Sequence, residues 1–336
     1  MSAPAPPTEI LLTVDIEFHI AGAVTYPDRY APLCDAPING MVDGRSHGLG
    51  FVLGTLARHG LPATFFVEAL NTRYFGDAPM AAVCRRIAAA GHDIQLHLHP
   101  VWTIYDDGAR NGATVDDSCA GRGREAMLDL LRQGQASFAR WGLPPPVALR
   151  TGGLSADRAV YAAMAAAGMD LASNVCAAIN PSAEPDLRLL SGRHRIGGVL
   201  EVPVTSFCDW RAAGRRHLRP LQVSACSASE VRAALWTARR AGVETVVVLT
   251  HAFEYFKRDG FRFRRLRANR INQARLDALC RFVATHPRDF VALDFARAAK
   301  SWRKRPEDPS RPLDGAAHRT FLRMATNALN DRIWPL

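Results

Sequence analysis

The chain alternates short apolar, β-branched or aromatic runs with longer stretches in which alanine, leucine and arginine recur at helical spacing. Residues 10–16, 62–68, 92–99, 147–151, 171–174, 198–206, 244–252 and 290–295 read as strands. Between them, 48–60, 80–91, 124–142, 155–168, 227–242 and 268–286 read as helices, with Gly60 and Gly91 as stops and Ser155 as a cap. Strand–helix alternation predicts a parallel sheet, and seven or eight such units favour an α/β barrel that is closed or nearly so.

Two stretches break the rhythm. The Gly/Asp-rich segment 106–122 reads as a long loop of the kind that often serves a site. After residue 300 the pattern gives way to a linker, and 316–336 predicts an amphipathic helix. Packing on the barrel is the preferred reading of that helix, with a subunit contact or a membrane surface as alternatives. The expected organisation is a barrel over 8–300 followed by a linker and helical extension over 301–336.

The polar positions inside the strands carry the chemistry. Side chains two apart on a strand share a face, so Asp15 and Glu17 stand side by side, and so do His97 and His99. Two neighbouring acids repel, and burying them is costly unless a cation lies close. Arg150 and His251 close two further strands. Catalytic groups of α/β barrels gather at the carboxyl ends of strands. Two imidazoles and one carboxylate form a catalytic zinc set, and the second carboxylate is then free to act as a general base on water. Glu68 is held in reserve as a ligand, with Glu201 behind it. His59 and His92 read as structural, His92 keeping a place as an alternative ligand, and His19 and His47 as candidates for contacts around the site.

Composition narrows the setting. The 336 residues are 48% hydrophobic and 22% charged, a globular balance with no apolar run of membrane-spanning length. The first residues lack a secretory pattern, so a cytoplasmic protein is expected. Seven cysteines without a CxxC pair argue against a disulfide framework or a cysteine zinc site. The net charge of +10 is concentrated in 211–220, 256–270 and 300–311. Such a surface suits an anionic substrate, a peripheral membrane contact or nucleic acid. No nucleic-acid module accompanies it, and nucleic acid is not expected.

Five stretches together resemble the NodB-like polysaccharide deacetylases, carbohydrate esterases with a distorted (β/α) barrel. TVDIE (13–17) is similar to their first motif, ATFFVE (63–68) to the strand that follows, and GHDIQLHLHP (91–100) to the metal-histidine motif. RTGGLS (150–155) sits where the family has its orienting arginine, and VVLTHAFEYF (247–256) resembles the last motif. One residue separates the acids, which the family usually writes adjacent, and the histidines are two apart rather than four. The HxHP spacing resembles a divergent branch that is cytoplasmic and biosynthetic.

The resemblance implies a distorted barrel of about seven strands and a divalent metal, Zn²⁺ before Co²⁺ or Fe²⁺, on Glu17, His97 and His99. It implies Asp15 as base, Arg150 as its orienting partner and His251 as the acid that protonates the leaving amine. The expected activity is removal of an N-acetyl or N-formyl group from an amino sugar, nucleotide- or lipid-diphosphate-linked, in surface polysaccharide or O-antigen biosynthesis. The alternative is a non-catalytic glycan-binding protein on a degenerate barrel.

Overall fold

Strand β1 (Thr8–Ile16) is buried at all nine positions, as a parallel strand covered on both faces must be. Its side chains divide by parity. Ile10, Leu12, Val14 and Ile16 enter a large outer core, and Leu11 enters a smaller inner one. Thr13 and Asp15 share the inward parity of Leu11. The computed structural model describes residues 6–20, 22–105, 116–212 and 214–333. Residues 106–115 of the predicted loop and 334–336 of the predicted terminal helix lie outside these.

The other parallel strands are β2 (Thr64–Glu68), β3 (Asp93–Leu98), β4 (Ala148–Thr151), β5 (Leu171–Ala172), β6 (Val199–Glu201) and β7 (Thr245–His251). Their order is β7-β1-β2-β3-β4-β5-β6, ending on an antiparallel strand, His194–Ile196; Phe290–Leu293 pairs with the first half of β1. The longer helices are α1 (Leu49–His59), α2 (Ala78–Ala89), α3 (Arg124–Arg140), α4 (Arg158–Ala166), α5 (Ala228–Arg240), α6 (Arg270–Thr285), α7 (Phe295–Trp302) and α8 (Ala317–Ile333). The apolar stripes of α1 to α6 fill the outer core against the sheet.

The sheet curls into a distorted barrel, as expected, but it is not closed by a continuous ladder. Beyond β6 the chain crosses toward β7, where the Thr205 amide donates to the Val247 carbonyl at 3.2 Å and the Val223 amide to the Leu249 carbonyl at 3.0 Å. The predicted strand 198–206 therefore splits. Its first part stays in the sheet, and Ser206 starts an antiparallel ribbon, Ser206–Ala212 with Arg215–Pro220. That ribbon lacks the apolar alternation that would mark it as a strand pair, so 211–220 reads only as a basic stretch. Helix α4 also starts later than expected. Asp157, not Ser155, caps it by accepting the Val160 amide at 3.1 Å.

Helix α7 decides which end of the barrel is polar. Phe295 and Trp302 are fully buried in the inner core with Leu11, Phe66 and Val247. The Phe295 ring meets Phe66 edge-on at 5.3 Å, and the Trp302 indole donates to Glu9 at 2.8 Å. The amino end of the barrel is thus an apolar plug. Inward positions toward the carboxyl ends are Asp15, His97, Arg150 and His251, with Glu17 and His99 just beyond.

Candidate metal centre

Strand register sets the neighbours at this mouth. Asp15 lies level with His251 across β1 and β7, and His97 lies level with Arg150 across β3 and β4. Ligand atoms of Glu17, His97 and His99 all fall within 4.8 Å of one another, the one such three-residue cluster among the described residues. The His97 Nδ1–H donates to the Arg150 carbonyl at 2.8 Å, so its Nε2 is the atom available to a metal. His99 turns Nε2 to Glu17 at 3.0 Å and Nδ1 to Asp117 at 2.6 Å. Two imidazoles, each held by an outer partner, and a carboxylate suit zinc, cobalt or iron(II).

For His97 and Glu17 the electrostatics agree with that donor chemistry, and His99 releases its Nε2 proton when a metal takes that position. Burial pushes His97 down to about 4, with the His99 charge adding to the shift, so its imidazole is neutral at pH 7. Burial works against the Glu17 carboxylate, but His99 outweighs it and holds the group well below the ordinary carboxylate range. His99 is likewise opposed by burial, yet Glu17 and Asp117 raise it well above the ordinary histidine value.

Beside this cluster stand two further pairs. Fully buried Arg150 donates from Nη1 to Asp15 at 2.6 Å and to Thr13 at 2.9 Å, and from Nη2 to Ser173 at 2.8 Å. Its guanidinium also lies over the Phe66 ring at 4.2 Å. His251 places Nε2 3.8 Å from Asp15 and 3.9 Å from Glu17, and bonds Glu254 through Nδ1 at 2.8 Å. Burial opposes charge on His251, but the Glu254 hydrogen bond and charge lift it to about 9. Phe253 stacks on the same imidazole at 4.8 Å.

A cleft of about 210 Å³ opens over His99 and Glu17, walled by Phe18, Ile20, Val101 and Trp102. Asp117 and Glu254 were not singled out in the sequence. Asp117 lies in the predicted 106–122 loop, a signal that a functional group was near. Glu254 lies three residues after His251, where a short 3-10 turn brings it back to the imidazole.

The reserve residues do other work. Glu68 accepts the Leu70 and Asn71 amides at 2.7 and 2.8 Å, and burial pushes it up to about 8. Glu201 accepts the Tyr161 hydroxyl at 2.9 Å and the Asn174 amide at 3.0 Å. His92 packs on Phe65 before the start of β3, at the opposite end from His99. His47 meets Gln273 at 2.9 Å and His59 meets Asp277 at 3.0 Å. His19 does reach the site, in the wall of the cleft.

Neither a family model nor a curated protein matches the chain. Solved structures do. A Mycobacterium smegmatis protein assigned as a polysaccharide deacetylase aligns at 18% identity with a TM-score of 0.53, over 93% of this chain and 97% of that one. A family 4 carbohydrate esterase from Streptomyces lividans, in complex with acetate, aligns at 11% identity over 86% and 93% (TM-score 0.42). A family 4 acetyl xylan esterase from Clostridium thermocellum, with a cobalt ion, aligns at 15% over 89% and 93% (TM-score 0.41). The chain has the distorted-barrel fold of the NodB-like polysaccharide deacetylases.

Proposed function

We propose that this chain is a metal-dependent amidohydrolase that removes an N-acyl group from an amino sugar. One observation carries the reading: the Glu17–His97–His99 donor set, the Asp15–Arg150 pair and the His251–Glu254 pair share one barrel mouth beside an open cleft.

Glu17, His97 and His99 would hold the ion. A divalent ion there supplies Lewis acidity toward an amide carbonyl and toward water. Asp15 accepts the proton of the attacking water, and Arg150 holds that carboxylate in place. His251, kept protonated by Glu254, gives its proton to the leaving nitrogen. Charge on the two sides of the scissile bond is thus handled by separate groups. Phe18, Ile20, Val101 and Trp102 form an apolar wall against which the acyl group would pack.

In our reading the acyl group is acetyl or formyl, and the setting is cytoplasmic assembly of a surface polysaccharide or O-antigen. The His97-Leu98-His99-Pro100 spacing supports that setting. The test is incubation of the zinc-loaded protein with N-formyl and N-acetyl amino sugars, free and nucleotide-linked, with assay of released formate and acetate. Release that stops with chelator, returns with Zn²⁺ or Co²⁺ and is absent in Asp15→Ala is expected. Full turnover by Asp15→Ala would overturn the assignment of Asp15 as the base. Glycan binding by wild type without any release would leave a binding protein.

A further inference from the structure

The basic stretch that follows His251 packs, through Phe263, against His19 in the wall of the metal cleft. Phe256–Arg258 pairs with Leu266–Ala268, and residues 256–268 carry six cations against one acid, Asp259. That acid is engaged by Arg265, whose amide donates to it at 2.9 Å. Arg258 is half-buried, donates to the Gly260 carbonyl at 3.2 Å and has no carboxylate partner among the described residues. Its guanidinium lies over the Phe263 ring at 4.5 Å.

Phe263 is the link to the site. It is buried and held at φ +50°, a left-handed conformation that bulky side chains rarely adopt and that persists only where the surroundings impose it. Its ring also meets His19 edge-on at 5.3 Å, and His19 lines the cleft with Glu17 and His99. Arg262 stands over Tyr30 at 5.4 Å, and Tyr30 packs on Phe261 at 5.6 Å, so the hairpin is pinned to the segment that follows β1. A half-buried guanidinium without a counter-charge is unfavourable, and an arriving phosphate offsets that cost through charge-assisted, bidentate hydrogen bonds.

We infer that Arg258 and Arg262 bind a phosphate or diphosphate group carried by the amino-sugar substrate, so the enzyme acts on a phosphorylated sugar rather than on a neutral polymer. This rests on the hydrolase reading above, and the binding arm of the test separates the two.

Inorganic pyrophosphate is titrated by calorimetry into zinc-loaded wild type and zinc-loaded Arg258→Gln/Arg262→Gln, and into His97→Ala without added metal. The double variant is expected to bind at least tenfold more weakly and His97→Ala to bind as wild type. Equal binding by the double variant, or loss of binding in a folded His97→Ala protein, would place the anion elsewhere and overturn the inference. In the kinetic arm, Arg258→Gln is expected to raise KM for UDP-N-acetylglucosamine at least tenfold more than for free N-acetylglucosamine, with Arg258→Lys intermediate. An equal rise for both sugars counts against the inference. The same ratio measured with a diphosphate-linked prenyl sugar in detergent micelles distinguishes a lipid carrier from a nucleotide. Pyrophosphate binding that depends on the arginines in a protein that hydrolyses nothing would sink the hydrolase reading alone.

Discussion

Arg150 reaches Asp15 at 2.6 Å from a position with no exposure to solvent. The pair joins β4 to β1 across the barrel interior, and Thr13 and Ser173 take further N–H groups of the same guanidinium. A buried charge left without its partner costs about 3–5 kcal/mol. Arg150→Met and Asp15→Asn should therefore each lower stability by about that much in urea titrations, since either leaves one buried charge without its counter-charge, and Asp15→Asn should also lose turnover. Losses below about 1 kcal/mol in both variants would remove the case for a strongly coupled pair.

Asp117 should govern metal retention rather than folding. It accepts from His99 Nδ1 at 2.6 Å and from the Val101 amide at 2.8 Å, orienting the imidazole that faces Glu17. Loss of such an outer partner typically weakens metal binding 10–100-fold. Zinc competition against a chromophoric chelator should show a loss of that size in Asp117→Asn. An unchanged zinc affinity would rule the role out.

His251 should matter in proportion to the basicity of the leaving group. An amine needs a proton to depart, whereas 4-nitrophenolate does not. His251→Ala should lower N-acyl sugar hydrolysis roughly 10²–10⁴-fold while depressing 4-nitrophenyl acetate hydrolysis far less. A similar loss on both substrates would assign His251 to something other than acid catalysis.

Glu201 should make stability fall as pH rises. Burial pushes its carboxyl from 4.5 to about 7 in the folded protein. The protonated form is then favoured by folding: its contribution is complete below about pH 4.5 and is lost as pH climbs to about 7. The full effect is on the order of 3 kcal/mol. Urea unfolding of wild type and Glu201→Gln across that window should show a steeper decline in wild type, and parallel profiles would contradict the assignment.

Helix α8 should tolerate change on its apolar side and not on its polar one. Arg323, nearly buried, reaches Asp209 and Glu230 at 3.0 Å each, while Phe321 is 71% exposed. Arg323→Ala should destabilise by about 3–5 kcal/mol and release the helix to proteolysis. Phe321→Ser should change stability by no more than about 0.5 kcal/mol. The reverse ranking in thermal melts would mean that the helix packs by its other face.

Much of the barrel is legible along the chain because strand periodicity is a backbone property. The parity that sets Asp15 beside Glu17 and His97 beside His99 holds wherever those segments are extended, and Leu11, Phe66 and Val247 take the inner core by the same alternation. Helix α8 shows the limit. Periodicity predicts an amphipathic helix there, but Thr320 and Arg323 are buried while Phe321, Leu322 and Met324 are exposed. The buried acids Asp209 and Glu230 await it on the barrel, and no pattern within the helix reveals them.

The amino-acid sequence by itself determined the strand–helix order, the inward parity of the polar residues and the stretches in which they lie. Tertiary structure alone decided that β7 pairs with β1 so that His251 stands level with Asp15, that α7 plugs the opposite end, and that Asp117 reaches back to His99. The physical reason is range. Alternation and capping act over a few residues of one segment, whereas register between distant strands and hydrogen bonds to a buried imidazole depend on which surfaces the folded chain brings together.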